Sequence, residues 1–200
     1  MSAAFRIRKS SRRTYRVVTM AVAYDGQRTE DGYFRGWRQV LGTSGIELVP
    51  IYLPSGGNVL RAVELAKAEF NRRGGYDQTW CVVDVDDTSE SDLRKANRLA
   101  TQNKINLCVS NRCFELWLYL HFGKTTRIIA NENDAITLVR SVYSDYHRKN
   151  KTIPFKHLFD RSYKACANAK WLEEQELANP TTQVHVLVRL FLDKMSKTTP

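Results

Sequence analysis

The chain is short of acidic residues, with 31 Lys and Arg against 21 Asp and Glu and a formal net charge of +10. An excess of this size speaks to association with polyanions and not to fold. Cys-x-x-Cys spacing is absent. Cys81, Cys108, Cys113 and Cys166 have no histidine pair near them, which excludes the usual zinc-site patterns. Cys81 and Cys108 lie in apolar, strand-like runs, so all four read as reduced thiols of a cytoplasmic protein. No apolar run approaches the ~20 residues of a membrane span, and the N-terminus lacks the apolar core of a secretory signal. There is no Gly-Lys-Ser/Thr phosphate loop; Ser55-Gly56-Gly57-Asn58 is too generic to stand for one. Internal repeats and low-complexity tracts are also missing. The 42% apolar content is enough for one buried core with a small appendage.

Against that background, residues 80–87 stand out as Trp-Cys-Val-Val-Asp-Val-Asp-Asp. Their first half suits a strand buried on both faces of a parallel sheet. Their second half is acidic. Alternation along a strand would put Asp84 and Asp86 on one side, about 6–7 Å apart, an arrangement that can grip a hard divalent ion. The plainer alternative is an acidic turn capping the next helix, since Thr88, Ser89 and Asp92 follow.

Residues 1–14, with Arg6, Arg8, Lys9, Arg12 and Arg13, read as a solvated tail or as an arm laid on phosphates. A first strand is predicted over residues 15–24, and then a helix capped by Thr29 and running to Leu41. Tyr33, Phe34, Trp37, Val40 and Leu41 form its inner face. Asp25 falls at the strand's carboxyl end. Glu30 falls in the first helical turn, where an acid can serve merely to complement the helix dipole. Further strands are expected at residues 46–53 and 105–109, with helices from Asn58 to the Gly74-Gly75 stop and over residues 90–102. This alternation predicts an α/β fold, a parallel sheet of about four strands with helices on both faces. Right-handed crossovers would then bring Asp25, the Asp84 cluster and Ser110-Asn111 to one edge.

Residues 114–122 are the most apolar segment, predicted as a helix interrupted by Glu115 and His121. A buried carboxylate needs a cation, a hydrogen-bond partner or a proton, whereas His121 reads as a core histidine. Helices are expected over residues 132–146, 159–177 and 182–195, the last capped by Thr181 or Thr182, with a basic loop at 148–154. The cations of this region, with Tyr143, Tyr146, Phe155 and Tyr163 among them, suit either a nucleic-acid surface or ordinary solvated faces. The organisation expected is a tail at 1–14, an α/β domain at 15–123 and a helical region at 124–200 packed on it as one compact unit.

Several motifs together resemble the RloB family: Asp25-Gly26-Gln27-Arg28-Thr29-Glu30 with Tyr33-Phe34, Val83-Asp84-Val85-Asp86-Asp87 after Trp80, and Ser110-Asn111-x-Cys113-Phe114-Glu115-Leu116-Trp117 with His121-Phe122. Asn179-Pro180-Thr181-Thr182 also fits, so the resemblance spans nearly the whole chain. It implies a bacterial protein of phage-defence loci related to Toprim nucleases, hence a Toprim-like sheet. It also implies a Mg²⁺ or Mn²⁺ site in which Asp84 and Asp86 match the Asp-x-Asp pair and Glu30 the second acid of the first motif. Asp25 stands where the family usually has glutamate, one methylene longer, which bears on whether the site is active.

The function this implies is metal-dependent cleavage of RNA, tRNA included, or of DNA. Asp25, Glu30, Asp84, Asp86 and Glu115 would be catalytic, and Asp25, Glu30, Asp84, Asp86 and Asp87 would be metal ligands. Arg28, Asn111, Arg112, Arg148, Lys149, Lys151 and Lys156 are the candidate nucleic-acid contacts. The alternative is a nucleic-acid-binding or regulatory subunit working beside a defence ATPase. A homodimer is left open, and no membrane is involved.

Overall fold

In a computed structural model, residues 17–85 and 88–197 are described. The basic tail at 1–14, Asp86 and Asp87 therefore lie outside the described residues. Four strands form the expected parallel core: β1 (Val18–Tyr24), β2 (Ile46–Tyr52), β3 (Gln78–Asp84) and β4 (Ile105–Asn111). The sheet order is β2-β1-β3-β4-β5, the last being a two-residue strand, Thr181–Thr182, antiparallel to β4. Pairing of β1 with both β2 and β3 puts the carboxyl ends of the three strands at one edge, as parallel connections require.

Alternation along the strands divides the core into two layers. Met20, Val22, Tyr24, Trp80 and Val82 face one side, and Ala21, Ala23, Cys81 and Val83 the other. The second side is covered by α2 (Val59–Arg73) and α3 (Glu90–Gln102), whose ends follow the sequence closely. Asn58 accepts from the Arg61 amide at 2.9 Å, Ser89 from that of Asp92 at 3.1 Å, and Gly74 closes α2 at φ 63°. The first side holds α1 (Thr29–Leu41) and the helical region: α4 (Glu115–Leu120), α5 (Glu132–Arg140), α6 (Phe155–Phe159), α7 (Ser162–Glu173) and α8 (Val184–Ser196). Trp37 and Trp117 are fully buried there. Gly36 is required where α1 meets α6, because a Cβ at that position would overlap the Phe155 ring. Gly36→Ala should therefore destabilise the protein by about 1–3 kcal/mol through overpacking, read from the urea midpoint.

Four local expectations are corrected. Thr29 is the first residue of α1 and caps nothing with its side chain; its hydroxyl instead donates to the Lys151 carbonyl at 3.2 Å. Thr181 and Thr182 form β5 and Gln183 takes the cap position, although the Thr182 hydroxyl accepts from the first α8 amide, that of Val184, at 3.4 Å. The Thr182 hydroxyl is 2.9 Å from that of Ser110, and α8 begins only after Gln183. The predicted helix over 132–146 ends at Arg140, since the chain turns so that Tyr146 can bury its ring. The helix predicted over 114–122 is shortened to α4, and an extra short helix, α6, follows Pro154.

Candidate functional site

Glu30, Asp84 and Glu115 come from three elements and meet beyond the carboxyl ends of β1 and β3. With Asp25 they line an open cleft of about 490 Å³, together with Gly26, Arg28, Thr29, Gly57 and Lys151. Each carboxylate is placed by a different local cause. Asp25 follows β1 directly and is held by the Ser55 hydroxyl, which donates to it at 2.8 Å. Glu30 sits in the first turn of α1 and is only 7% exposed. Its carboxylate lies over the β1–α1 loop, in space that a Cβ at Gly26 would occupy. Asp84 ends β3 on the side of Trp80 and Val82. Glu115 opens α4, 7% exposed, and accepts from the Tyr146 hydroxyl at 3.0 Å.

Like charges crowd this cleft. Burial, and then the Glu115 charge, push the Glu30 pKa up to about 8. Asp84 is raised well above the ordinary carboxylate range by burial and by Glu30, Glu115 and Asp25. Asp25 is raised by burial against the opposing Ser55 hydrogen bond. Burial and the nearby Glu115 also raise the Cys113 thiol and the Tyr146 phenol. Lys151 is the cation set among them, 3.4 Å from Glu115, but it is closer to Glu132, at 2.8 Å. Burial works against its charge, yet the two carboxylates outweigh that and hold its pKa above the ordinary value. Lys151 is thus shared with Glu132, and Arg28 is the other cation lining the cleft beside its four carboxylates.

A hard divalent cation suits this donor set, which offers carboxylate oxygens from four residues at one sheet edge. Among the described residues, no three His, Cys, Asp or Glu are gathered tightly enough to hold an ion by themselves. Mg²⁺ does not require three, since it commonly keeps several waters and takes one or two carboxylates.

The other sequence-derived candidates separate. Arg28 lines the cleft and is exposed. Arg112 lines an adjoining cavity of about 250 Å³ with Asp84, Cys113, Glu115, Asn131, Glu132 and Lys151. Asn111 is not brought to the cleft; its amide donates to the Ala178 carbonyl at 2.7 Å, tying β4 to the segment before β5. Arg148 is held by Asn133 at 2.8 Å and by Glu132 at 3.2 Å. Lys149 and Lys156 are exposed and line none of these cavities. His121 is a core histidine, fully buried, with Nδ1 2.9 Å from the Trp117 carbonyl and a pKa lowered by burial to about 4. The four cysteines are free.

Sequence reasoning missed the supports of the site: Gly26 as the floor under Glu30, Ser55 on Asp25, Tyr146 on Glu115, and Glu132 as the second seat of Lys151. Only Gly26 had a local signal, its place between Asp25 and Glu30. Gly26→Ala should push the Glu30 carboxylate aside. Because that group is the free end of a flexible side chain, the expected cost is mainly functional. Any activity that depends on the Glu30 carboxylate should fall at least ~10-fold while the melting temperature changes little.

A family model described as RloB-like protein matches residues 20–191. Comparison with curated proteins gave no match, and comparison with solved structures gave none. No helix among the described residues is long and apolar enough to cross a membrane.

Proposed function

Since the chain belongs to the RloB-like protein family, we propose that it is a divalent-metal-dependent phosphodiesterase, a nuclease of RNA or DNA. The observation that carries this reading is the cleft itself. Asp25, Glu30, Asp84 and Glu115 line it together, and burial with the neighbouring carboxylates raises Glu30 and Asp84, in a protein of net charge +10. Carboxylates gathered without enough countercharge are unfavourable for folding alone and useful for holding a cation. A Mg²⁺ or Mn²⁺ ion held by Asp84 with Glu30 and Glu115 would supply Lewis-acid stabilisation of the phosphate and a more acidic water.

The chain's own residues supply the rest. Glu30, whose proton affinity is raised by burial and by Glu115, would give up its proton when a cation is held and stand beside Asp84 as a ligand. Lys151 and Arg28 set positive charge at the cleft wall, where a phosphate would enter. Tyr146 orients Glu115 through its hydroxyl. Asp86 and Asp87 stay in the proposal as further ligands on the sequence motif alone. The setting in bacterial phage defence, with an ATPase partner, belongs to the proposal too and rests on the family resemblance.

A second reading, a nucleic-acid-binding subunit with a weak or silent site, draws on Asp25. This residue is one methylene shorter than the family's glutamate, and its carboxylate is engaged by Ser55. The two readings are separated by incubating total tRNA, unstructured RNA, single-stranded DNA and duplex DNA with Mg²⁺ or Mn²⁺, using wild type and Asp84→Asn. Cutting that requires the metal and Asp84 supports the nuclease. Binding without cutting under every condition supports the subunit.

A further inference from the structure

Among the described residues, cations without a carboxylate partner occur on both sides of the sheet, Arg38, Arg61, Lys67 and Arg98 on α1, α2 and α3 among them, but several of those in the helical region are fixed in place by other contacts. On α1, α2, α3 and α8, Arg35 pairs with Asp31, Arg72 and Arg73 with Glu69, Arg94 with Glu90, Lys95 with Asp92, and Arg189 with Asp193. Among the described residues, Lys124, Lys156, Arg161, Lys164 and Lys170 have no such partner. The acids of the same span are partly engaged: Glu132 by Lys151 and Arg148, and Asp134 by the Ala130 amide.

Three of these cations are nevertheless held in place. The Arg161 guanidinium lies 5.3 Å from the Phe122 ring centre and donates to the His157 carbonyl at 2.8 Å. Lys164 donates to the Phe122 carbonyl at 2.7 Å, and the Lys124 ammonium lies 4.8 Å from the Trp171 ring centre. Cations seated on rings and carbonyls keep their full charge, so an anion from outside the chain is their natural counterpart. Aromatic groups accompany them. Phe122 contacts Tyr143, which contacts His157, at ring-centre distances of 6.5 and 6.1 Å, and Tyr163 is 58% exposed beside Lys164. The strip is continuous in the chain with the cleft, because the segment leading into α6 begins at Lys151.

We propose that this strip, on α6, α7 and the segment after α4, binds a single-stranded stretch of nucleic acid. Phosphates would lie on Lys124, Arg161 and Lys164, and a base would stack on Tyr163. Strand polyanions meet the unpaired cations, and an exposed ring on the same helix, α7, gives an unpaired base a surface that a duplex cannot use. The proposal deepens the nuclease reading, on which it rests only for the direction of the strand toward the cleft.

The test is fluorescence anisotropy of the full chain in EDTA, with labelled oligonucleotides of about 16 nucleotides, long enough for one such site. The probes are unstructured RNA, the same sequence as DNA, and the DNA duplex. Wild type should bind the single strands more tightly than the duplex, and the RNA and DNA arms show which sugar is preferred. The double variant Arg161→Glu/Lys164→Glu should lose at least ~10-fold in affinity, and the slope of log K against log salt should shrink by about 1.4, two contacts' worth. Tyr163→Ala should lose about 5-fold or more for single strands and nothing for the duplex. Arg161→Gln/Lys164→Gln provides a milder check, and unchanged melting temperatures for these exposed positions exclude unfolding as the cause. Failure of the cleft reading, seen as cleavage that survives in Asp84→Asn, is separate from failure of this one, because binding in EDTA is read without any cleavage. Unchanged affinity in the charge-reversed variant overturns the proposal. So does binding of heparin or duplex as tight as single strands with no role for Tyr163, which would make the strip a general polyanion or acidic-protein surface.

Discussion

Asp84→Asn is expected to abolish metal-dependent cleavage, by at least ~10²-fold, the scale on which preorganised charge in an active site acts. It should at the same time raise the melting temperature in EDTA. Asparagine keeps the side-chain oxygen that can accept from the Phe114 amide and removes a charge that Glu30, Glu115 and Asp25 all oppose. Relief of about 1 kcal/mol corresponds to roughly 2–4 °C for a chain of this size. A structural carboxylate behaves the other way, because losing it uncovers a partner and lowers stability. Retained cutting, or a clear fall in melting temperature without gain elsewhere, would remove Asp84 from the centre of the site.

The second large effect is in the pH dependence of stability. The Glu30 carboxyl stands at about 8 in the folded protein against an ordinary 4.5. The fold therefore favours the protonated form. The stability this contributes is complete below the unfolded value of 4.5 and is lost as pH rises toward 8. At about 1.4 kcal/mol per unit, the loss in EDTA is on the order of 4 kcal/mol, with Asp84 and Asp25, also raised, acting in the same direction. Thermal melts at pH 5, 6, 7 and 8 should fall across this window in wild type and flatten in Glu30→Gln. Mn²⁺ should restore most stability at pH 8 and least at pH 5, since it competes with protons for the same oxygens. Identical profiles for wild type and Glu30→Gln would mean that Glu30 does not carry the proton taken up on folding.

How much of this could be read from residues alone depends on the range of the interactions. Strands and the helices α2 and α3 were legible because their signals are local: β-branched runs, the Asn58 and Ser89 caps, and the Gly74 stop. Glu115 was recognisable as a charge in an apolar run that needs a partner, and the structure puts Tyr146 and Lys151 there. The assignment of Asn111 to nucleic acid followed its position in a motif, but its amide is committed to Ala178, a contact 67 residues away that no local pattern announces. Thr182 shows the same limit, since its hydroxyl does reach the first α8 amide but only the sheet brings it against Ser110.

By itself, the sequence determined the α/β alternation, and with it the convergence of Asp25 and Asp84 at one sheet edge, because parallel strands joined by right-handed crossovers leave no other arrangement. It also determined the excess of positive charge. Only the tertiary structure decided what surrounds those carboxylates. Gly26 makes room for Glu30, the segment at Lys151 returns over the cleft and is anchored by Thr29, and Lys151 is shared between Glu115 and Glu132. The physical reason is that strand and helix patterns arise from neighbours a few residues apart, whereas the charge balance of a cleft is set by side chains that only packing brings together.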